Sequence, residues 1–559
     1  MDDRQLAINR RRFIECCAAT GAGSVLLPGA LAAVAQDAET ITVEMLRSAQ
    51  QIAGLSFTPE EQRRLLEKLN GPRGYAAGFA GLHRTDFGST QPAIVFNPVL
   101  PGKTLPTDRT PLRRQPADAS RPRSDEELAF LPVARLSRLI ETRQITSTDL
   151  TTLYLARLKQ YDSQLHCVVS LTEEIALRQA RQADQEIAAG RYRGPLHGIP
   201  WGLKDIFAVR GTRTTWGMSP FKDRVIDLDA TVYTRLTNAG AVLVAKLSTG
   251  AIAIGAQWFG GVTRNPWNRE QDAAGSSAGP GSATAAGLVG FSIGSDTGGS
   301  IIQPSTRNGC SGLRPTFGRV SRYGAMTLAW TQDTVGPICR SAEDCALVLD
   351  AISGPDGKDN TIIDVPFTWD ASADVTKLRV GHLRPAGDGR DNQARRNEDE
   401  SLRVIRALGI TVVPFSLPEV QIEAIDFMRY AETSAAFDAV TRAGTLTEAE
   451  RGPEQSRRPD EIRAGYFIPA VEFIQANRLR MRVMEQLDAA FGDLDLFIGS
   501  NQAITNRTGH PVISLPNGFS QGSPTALHLT GKVFGEPEVL LLAHAFQART
   551  TFHLQHPRL

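Results

Sequence analysis

From about Ser124 to the carboxy terminus the chain alternates helical stretches with short apolar runs, and this pattern restricts the fold more than any other feature. Thr172 to Ala189 reads as a helix ending at Gly190, and Ala241-Val242-Leu243-Val244-Ala245 as a buried strand, because no polar residue interrupts the run. Leu378 to Leu383, Asn397 to Leu408 and Ile410 to Phe415 read as strand, helix and strand. Repeated units of this kind predict a layered α/β domain with a mostly buried sheet over residues 124–559. A length of 559 residues with 41% hydrophobic content is enough for one large domain with additions.

Two segments precede it. Asn9-Arg10-Arg11-Arg12-Phe13-Ile14 is followed by a small-residue apolar run from Cys16 to Ala35, ending in the small-x-small site Ala33-Val34-Ala35. Residues 1–35 look like a twin-arginine export signal, which a receptor reads and which carries folded cargo. The mature chain is expected to begin near Gln36, to work in the periplasm or outside the cell, and to keep no stable membrane association. An uncleaved anchor is the competing reading, against which Pro28 and the glycines of the run argue. Residues 36–123 form an extension. Thr40 to Asn70 reads as helical through Met45, Leu46, Ile52, Leu65, Leu66 and Leu69, and Gly71 to Arg123 as a linker or strap over the main domain.

Lys plus Arg total 61 against 60 Asp plus Glu, so no net field favours nucleic acid. The six Cys show no spacing suited to a tetrahedral metal site, and no metal or organic cofactor is expected. Cys339 and Cys345 could bridge in an oxidising compartment, but two separate buried thiols are the expected state.

The chemistry concentrates in two Gly/Ser loops, Ala274-Gly275-Ser276-Ser277-Ala278-Gly279-Pro280-Gly281-Ser282 and Gly294-Ser295-Asp296-Thr297-Gly298-Gly299-Ser300. Glycine allows Thr297-Gly298-Gly299-Ser300 to turn its N–H groups inward as a cup for an oxyanion. A serine at the end of such a loop is a potential nucleophile, but it is weak until a base takes its proton. None of the nine His lies within about 80 positions of these loops, which leaves only long-range imidazoles. Lys204 offers another route. It follows the apolar run of Gly198-Ile199-Pro200-Trp201-Gly202-Leu203, where a surface lysine is out of place, and burial would lower its pKa toward neutrality.

Gly194-Pro195-Leu196-His197-Gly198-Ile199-Pro200 with Lys204-Asp205 is similar to the lysine motif of the amidase signature family, and the two Gly/Ser loops resemble its signature, with Ser276 and Ser300 at the family's spacing of 24 positions. Thr263 to Asn268, Gly312 to Ser321 and Gly509 to Phe519 match as well. The resemblance covers most of the chain from Ser124 onward. It implies the amidase signature fold, a mixed central sheet surrounded by helices, and a Ser-Ser-Lys triad. Ser300 would be the acylated nucleophile. Ser276, after a cis peptide bond in the family, would pass protons between Ser300 and neutral Lys204. The N–H groups of Thr297, Gly298, Gly299 and Ser300 would hold the oxyanion. The implied reaction is cleavage of a carboxamide in a small molecule or peptide, through an acyl-enzyme.

The chain departs from the family pattern at Ala274 (usually Gly), Ile302 (often Arg) and Asn308 (often Cys), and Ile302 with Gln303 changes the wall beside Ser300. Gly275-x-Ser277-x-Gly279 also fits the α/β-hydrolase pattern, with Ser277 as nucleophile and His510, His528 or His544 as partner. Asn268 to Ala274 are polar and turn-like, however, and supply no apolar strand to enter that motif. The three histidines otherwise read as ordinary residues of turns and helices, and Cys310 as a buried small residue. Substrate pockets are expected from Pro418 to Tyr466 and around Trp216 to Phe221. The rival functions are an amidotransferase A-type subunit, whose motifs are similar, and a silent binding protein of the same fold.

Overall fold

The computed structural model describes residues 41–52, 55–70, 90, 94–383, 392–446 and 458–559. The arginine motif, the Ala33-Val34-Ala35 site and linker residues 71–89 lie outside them. The described residues fall into two compact units: those of 1–90 together with Arg463–Phe473, and those of Gln91–Ile462 together with Ile474–Leu559.

In the first unit the expected single helix is two, Val43–Ile52 and Pro59–Asn70. Pro59 fits only the first turn of a helix, where its missing N–H is not needed. Thr58 and Glu61 close a reciprocal capping box: the Glu61 N–H donates to Thr58 Oγ1 at 3.3 Å, and the Thr58 N–H to Glu61 Oε2 at 2.7 Å.

In the second unit eleven strands make one mixed sheet. They are β1 (Val168–Leu171), β2 (Pro200–Lys204), β3 (Val242–Leu247), β4 (Phe291–Asp296), β5 (Ser311–Arg314), β6 (Thr334–Cys339), β7 (Val380–Leu383), β8 (Val412–Phe415), β9 (Leu496–Ile498), β10 (Val512–Ser520) and β11 (Ser523–Gly531). Their spatial order is β1-β3-β2-β4-β6-β5-β10-β11-β9-β7-β8. β2 runs parallel to both β3 and β4, and β7 runs parallel to both β8 and β9. Every residue of β2 and β3 is buried, as parallel strands covered on both faces require. The Glu173–Ala188 helix packs on β3 through Ala176, Ala180, Ala183 and Ile187, which share one face at helical spacing.

Residues 94–123 make contacts with later parts of the second unit. The Arg113 N–H donates to Trp369 O at 2.9 Å, the Ala371 N–H to Arg113 O at 3.1 Å, and the Phe96 ring packs 5.1 Å from that of Phe317. The helix expected from Asn397 begins at Asn392. Asn268–Asp272 forms a strand after all, paired with Arg264–Asn265 in a hairpin apart from the main sheet, where exposure lets a strand be polar. His528 lies on β11, opposite Ser514 of β10, and not in a turn or helix.

Candidate active site

Lys204 is the last residue of β2 and is wholly buried, because its strand is flanked by β3 and β4. Its Nζ lies 2.7 Å from Ser276 Oγ, 2.9 Å from Ser295 Oγ and 3.4 Å from Ser295 O. Burial pulls its pKa from 10.5 to about 7, against the smaller opposing fields of Asp296 and Asp333. A neutral amine keeps two N–H groups and one lone pair. The two Ser295 oxygens can take both N–H groups, which leaves the lone pair for the Ser276 hydroxyl.

Ser276 is 1% exposed and follows a cis peptide bond with Gly275. No larger residue fits at 275, since a Cβ there would stand 2.1 Å from Gly255 O. Ala274 sits at φ +57°, in the left-handed region that favours glycine. Asn308 braces the loop from below, donating from Nδ2 to Ala273 O at 2.8 Å and to Pro304 O at 2.7 Å.

Ser300 is half-buried where β4 gives way to the Ile302–Asn308 helix, and its carbonyl accepts the Ser277 N–H at 3.2 Å. The two Gly/Ser loops are thus side by side, although among the described residues no hydrogen bond joins the Ser276 and Ser300 hydroxyls. The wholly buried Asp296 carboxylate accepts the N–H groups of Gly299 and Ile301, each at 2.7 Å, and the Asn506 amide at 2.9 Å. The Gly299 N–H is therefore already engaged. Those of Thr297, Gly298 and Ser300, the other members of the expected cup, have no acceptor among the described residues.

Sequence reasoning missed several of these groups. Ser295 and Asp296 stand in the quoted loop and were legible as polar residues among glycines, whereas Asn506 lies more than 200 positions away and carries no local signal. It also missed Lys246, a second wholly buried lysine one strand over. Lys246 Nζ donates to Asp205 Oδ1 at 2.7 Å, and Asp205 also accepts the Thr215 N–H at 2.9 Å. That pair anchors the loop leading to Trp216, whose ring meets Phe221 at 5.6 Å and Phe437 at 5.7 Å. Residues 447–457 of the other expected pocket segment lie outside the described residues.

Among the described residues, no hydrogen bond joins Ser277 to a histidine. Ser277 caps the Ala278–Ala285 helix, and its hydroxyl donates to Ser295 O at 3.1 Å. His510 is buried beside Thr508, its pKa pulled down to about 3, and His528 Nε2 lies 3.0 Å from Thr306 Oγ1. Burial pushes the Cys310 thiol up to about 12, and Cys339 and Cys345 are free buried thiols. Among the described residues no three His, Cys, Asp or Glu side chains gather in a way that could hold a metal, and no helix is long and apolar enough to cross a membrane.

The model of the Amidase family matches residues 149–500. The chain is 34% identical to the A-type subunit of the glutamyl-tRNA(Gln) amidotransferase of Moorella thermoacetica over 485 residues, 78% of this chain and 99% of the relative. It is equally similar to that of Methylococcus capsulatus, 34% over 478 residues, covering 76% and 98%. Its structure resembles the native peptide amidase of Stenotrophomonas maltophilia with a TM-score of 0.68 at 29% identity, over 76% of this chain and 97% of that one. With the family model spanning the lysine strand and both Gly/Ser loops, and with solved amidases sharing its sheet, this chain belongs to the amidase signature family of enzymes.

Proposed function

We propose that the chain hydrolyses a carboxamide through an acyl-enzyme on Ser300, with Ser276 and Lys204 moving the proton. The observation that carries this reading is the 2.7 Å contact between Ser276 Oγ and a buried lysine whose pKa lies near 7. In the first step Ser300 Oγ bonds to the amide carbon, its proton passes to Ser276, and the Ser276 proton passes to Lys204 Nζ. The free N–H groups of Thr297, Gly298 and Ser300 face the oxyanion, while Asp296 keeps the loop curled from behind. The Lys204 ammonium then returns its proton through Ser276 to the departing nitrogen. Water attacks the acyl carbon by the same relay and releases the acid.

Small amides and peptide amides both suit this chemistry, as the peptide amidase likeness suggests. The arginine-rich leader and its small-x-small site support an exported enzyme. The expected outcome of Ser300→Ala is loss of turnover and of fluorophosphonate labelling in a folded protein. Full activity in that variant overturns the assignment. A second reading, an A-type amidotransferase subunit, draws on the relatives at 34% identity. It requires partner subunits in the cytosol, so purification of a leader-bearing chain from cytosol with bound partners would favour it.

A further inference from the structure

Two side-chain amides stand on the solvent side of the Thr297–Ser300 loop. Gln303, in the first turn of the Ile302–Asn308 helix, is exposed, and Gln502, which opens the Gln502–Thr508 helix, is half-buried. The Gln303 backbone N–H donates to Gly299 O at 2.8 Å, which ties its helix to the loop. A Cβ at Gly299 would lie 2.0 Å from Gln502 Oε1 and 2.7 Å from Gln303 Nε2, so both amides rest directly on the glycine preceding Ser300. The other side of the loop is closed by the buried Asp296 and Asn506, and a substrate coming from solvent therefore meets the glutamine pair.

Gln303 Nε2 donates to Gln502 Oε1 at 3.5 Å, a long and weak contact. It leaves the Gln303 carbonyl oxygen and the Gln502 amino group without partners among the described residues. One acceptor and one donor set side by side complement an amide group, which brings one N–H and one C=O. We infer that Gln303 and Gln502 read a second amide of the substrate, so that the preferred class is N-acylated amino acid amides and peptide amides and not simple aliphatic amides. Both are specificity-determining residues, and the inference rests on the hydrolase reading above. A subsite built to hydrogen-bond a substrate group discriminates against analogues lacking it, because its own polar groups are then left unpaired.

The test compares kcat/KM for N-acetyl-leucinamide and for 4-methylpentanamide, which has the same reacting carboxamide and side chain but no second amide. Each hydrogen bond is worth about tenfold, so the wild-type ratio is expected near 100-fold. In Gln303→Leu and Gln502→Leu the ratio falls about tenfold each, mainly through a higher KM for N-acetyl-leucinamide. A wild-type ratio near one, or an unchanged ratio in both folded variants, overturns the inference while leaving the hydrolase assignment intact. Failure to turn over either amide, with no fluorophosphonate labelling of Ser300, overturns the hydrolase reading and the inference with it.

Discussion

Replacing Lys204 by methionine separates the stability of this site from its activity. Burial lowers the Lys204 pKa from 10.5 to about 7, a difference that costs the folded chain about 5 kcal/mol when the lysine is charged in both folded and unfolded states. Between about pH 7 and 10.5 the folded chain binds fewer protons at this site than the unfolded chain, so stability rises with pH and the cost is gone above that window. Methionine, similar in length and uncharged, removes the cost. It also strips the Ser276 and Ser295 hydroxyls of their amine partner, a loss of about 1 to 1.5 kcal/mol each. Lys204→Met is expected to be about 2 kcal/mol more stable than the wild type at pH 7, equal to it near about pH 8.5 and less stable at pH 10, with no turnover at any of them. Guanidinium unfolding of both proteins at these three pH values reads the difference. A difference constant from pH 7 to 10, or a variant already less stable at pH 7, would show that Lys204 is an ordinary ammonium, and the proposed base would be lost.

Two further perturbations test the frame around Lys204 and the Gly275-Ser276 loop. Asp205→Asn leaves the buried Lys246 ammonium without its carboxylate and is expected to cost about 3 to 5 kcal/mol in denaturant unfolding, with part recovered in Asp205→Asn/Lys246→Met; a loss under about 1 kcal/mol would mean that Lys246 is not charged there. Ala274→Gly relieves a backbone strain of about 1 to 2 kcal/mol at φ +57° and gives back about half of that in chain entropy. A small net stabilisation is expected by the same assay, and a clear destabilisation would refute the strain.

Strand β3, the Glu173–Ala188 helix and the buried lysine were legible because each announces itself locally: an unbroken apolar run, a helical stripe closed by Gly190, a charge at the end of a core strand. The hairpin strand Asn268–Asp272 and the place of His528 on β11 were not, since exposed strands need no apolar alternation and histidine carries no strong preference for either state. The break before Pro59 was visible in Thr58-Pro59-Glu60-Glu61 but was overridden by the apolar spacing on either side.

By itself the sequence determined which side chains are available for the proposed chemistry, Lys204, Ser276 and Ser300, and where glycines allow the loop between Asp296 and Ser300 to turn tightly. Only the tertiary structure decided that Ser295 occupies two sides of the amine, that Asp296 claims the Gly299 N–H, and that Gln502, about 200 residues downstream, lies against the same glycine as Gln303. The reason is physical. Local patterns report backbone preference and the burial of single residues, whereas hydrogen-bond partners within a site come from strands and helices that meet only when the sheet closes in its own order.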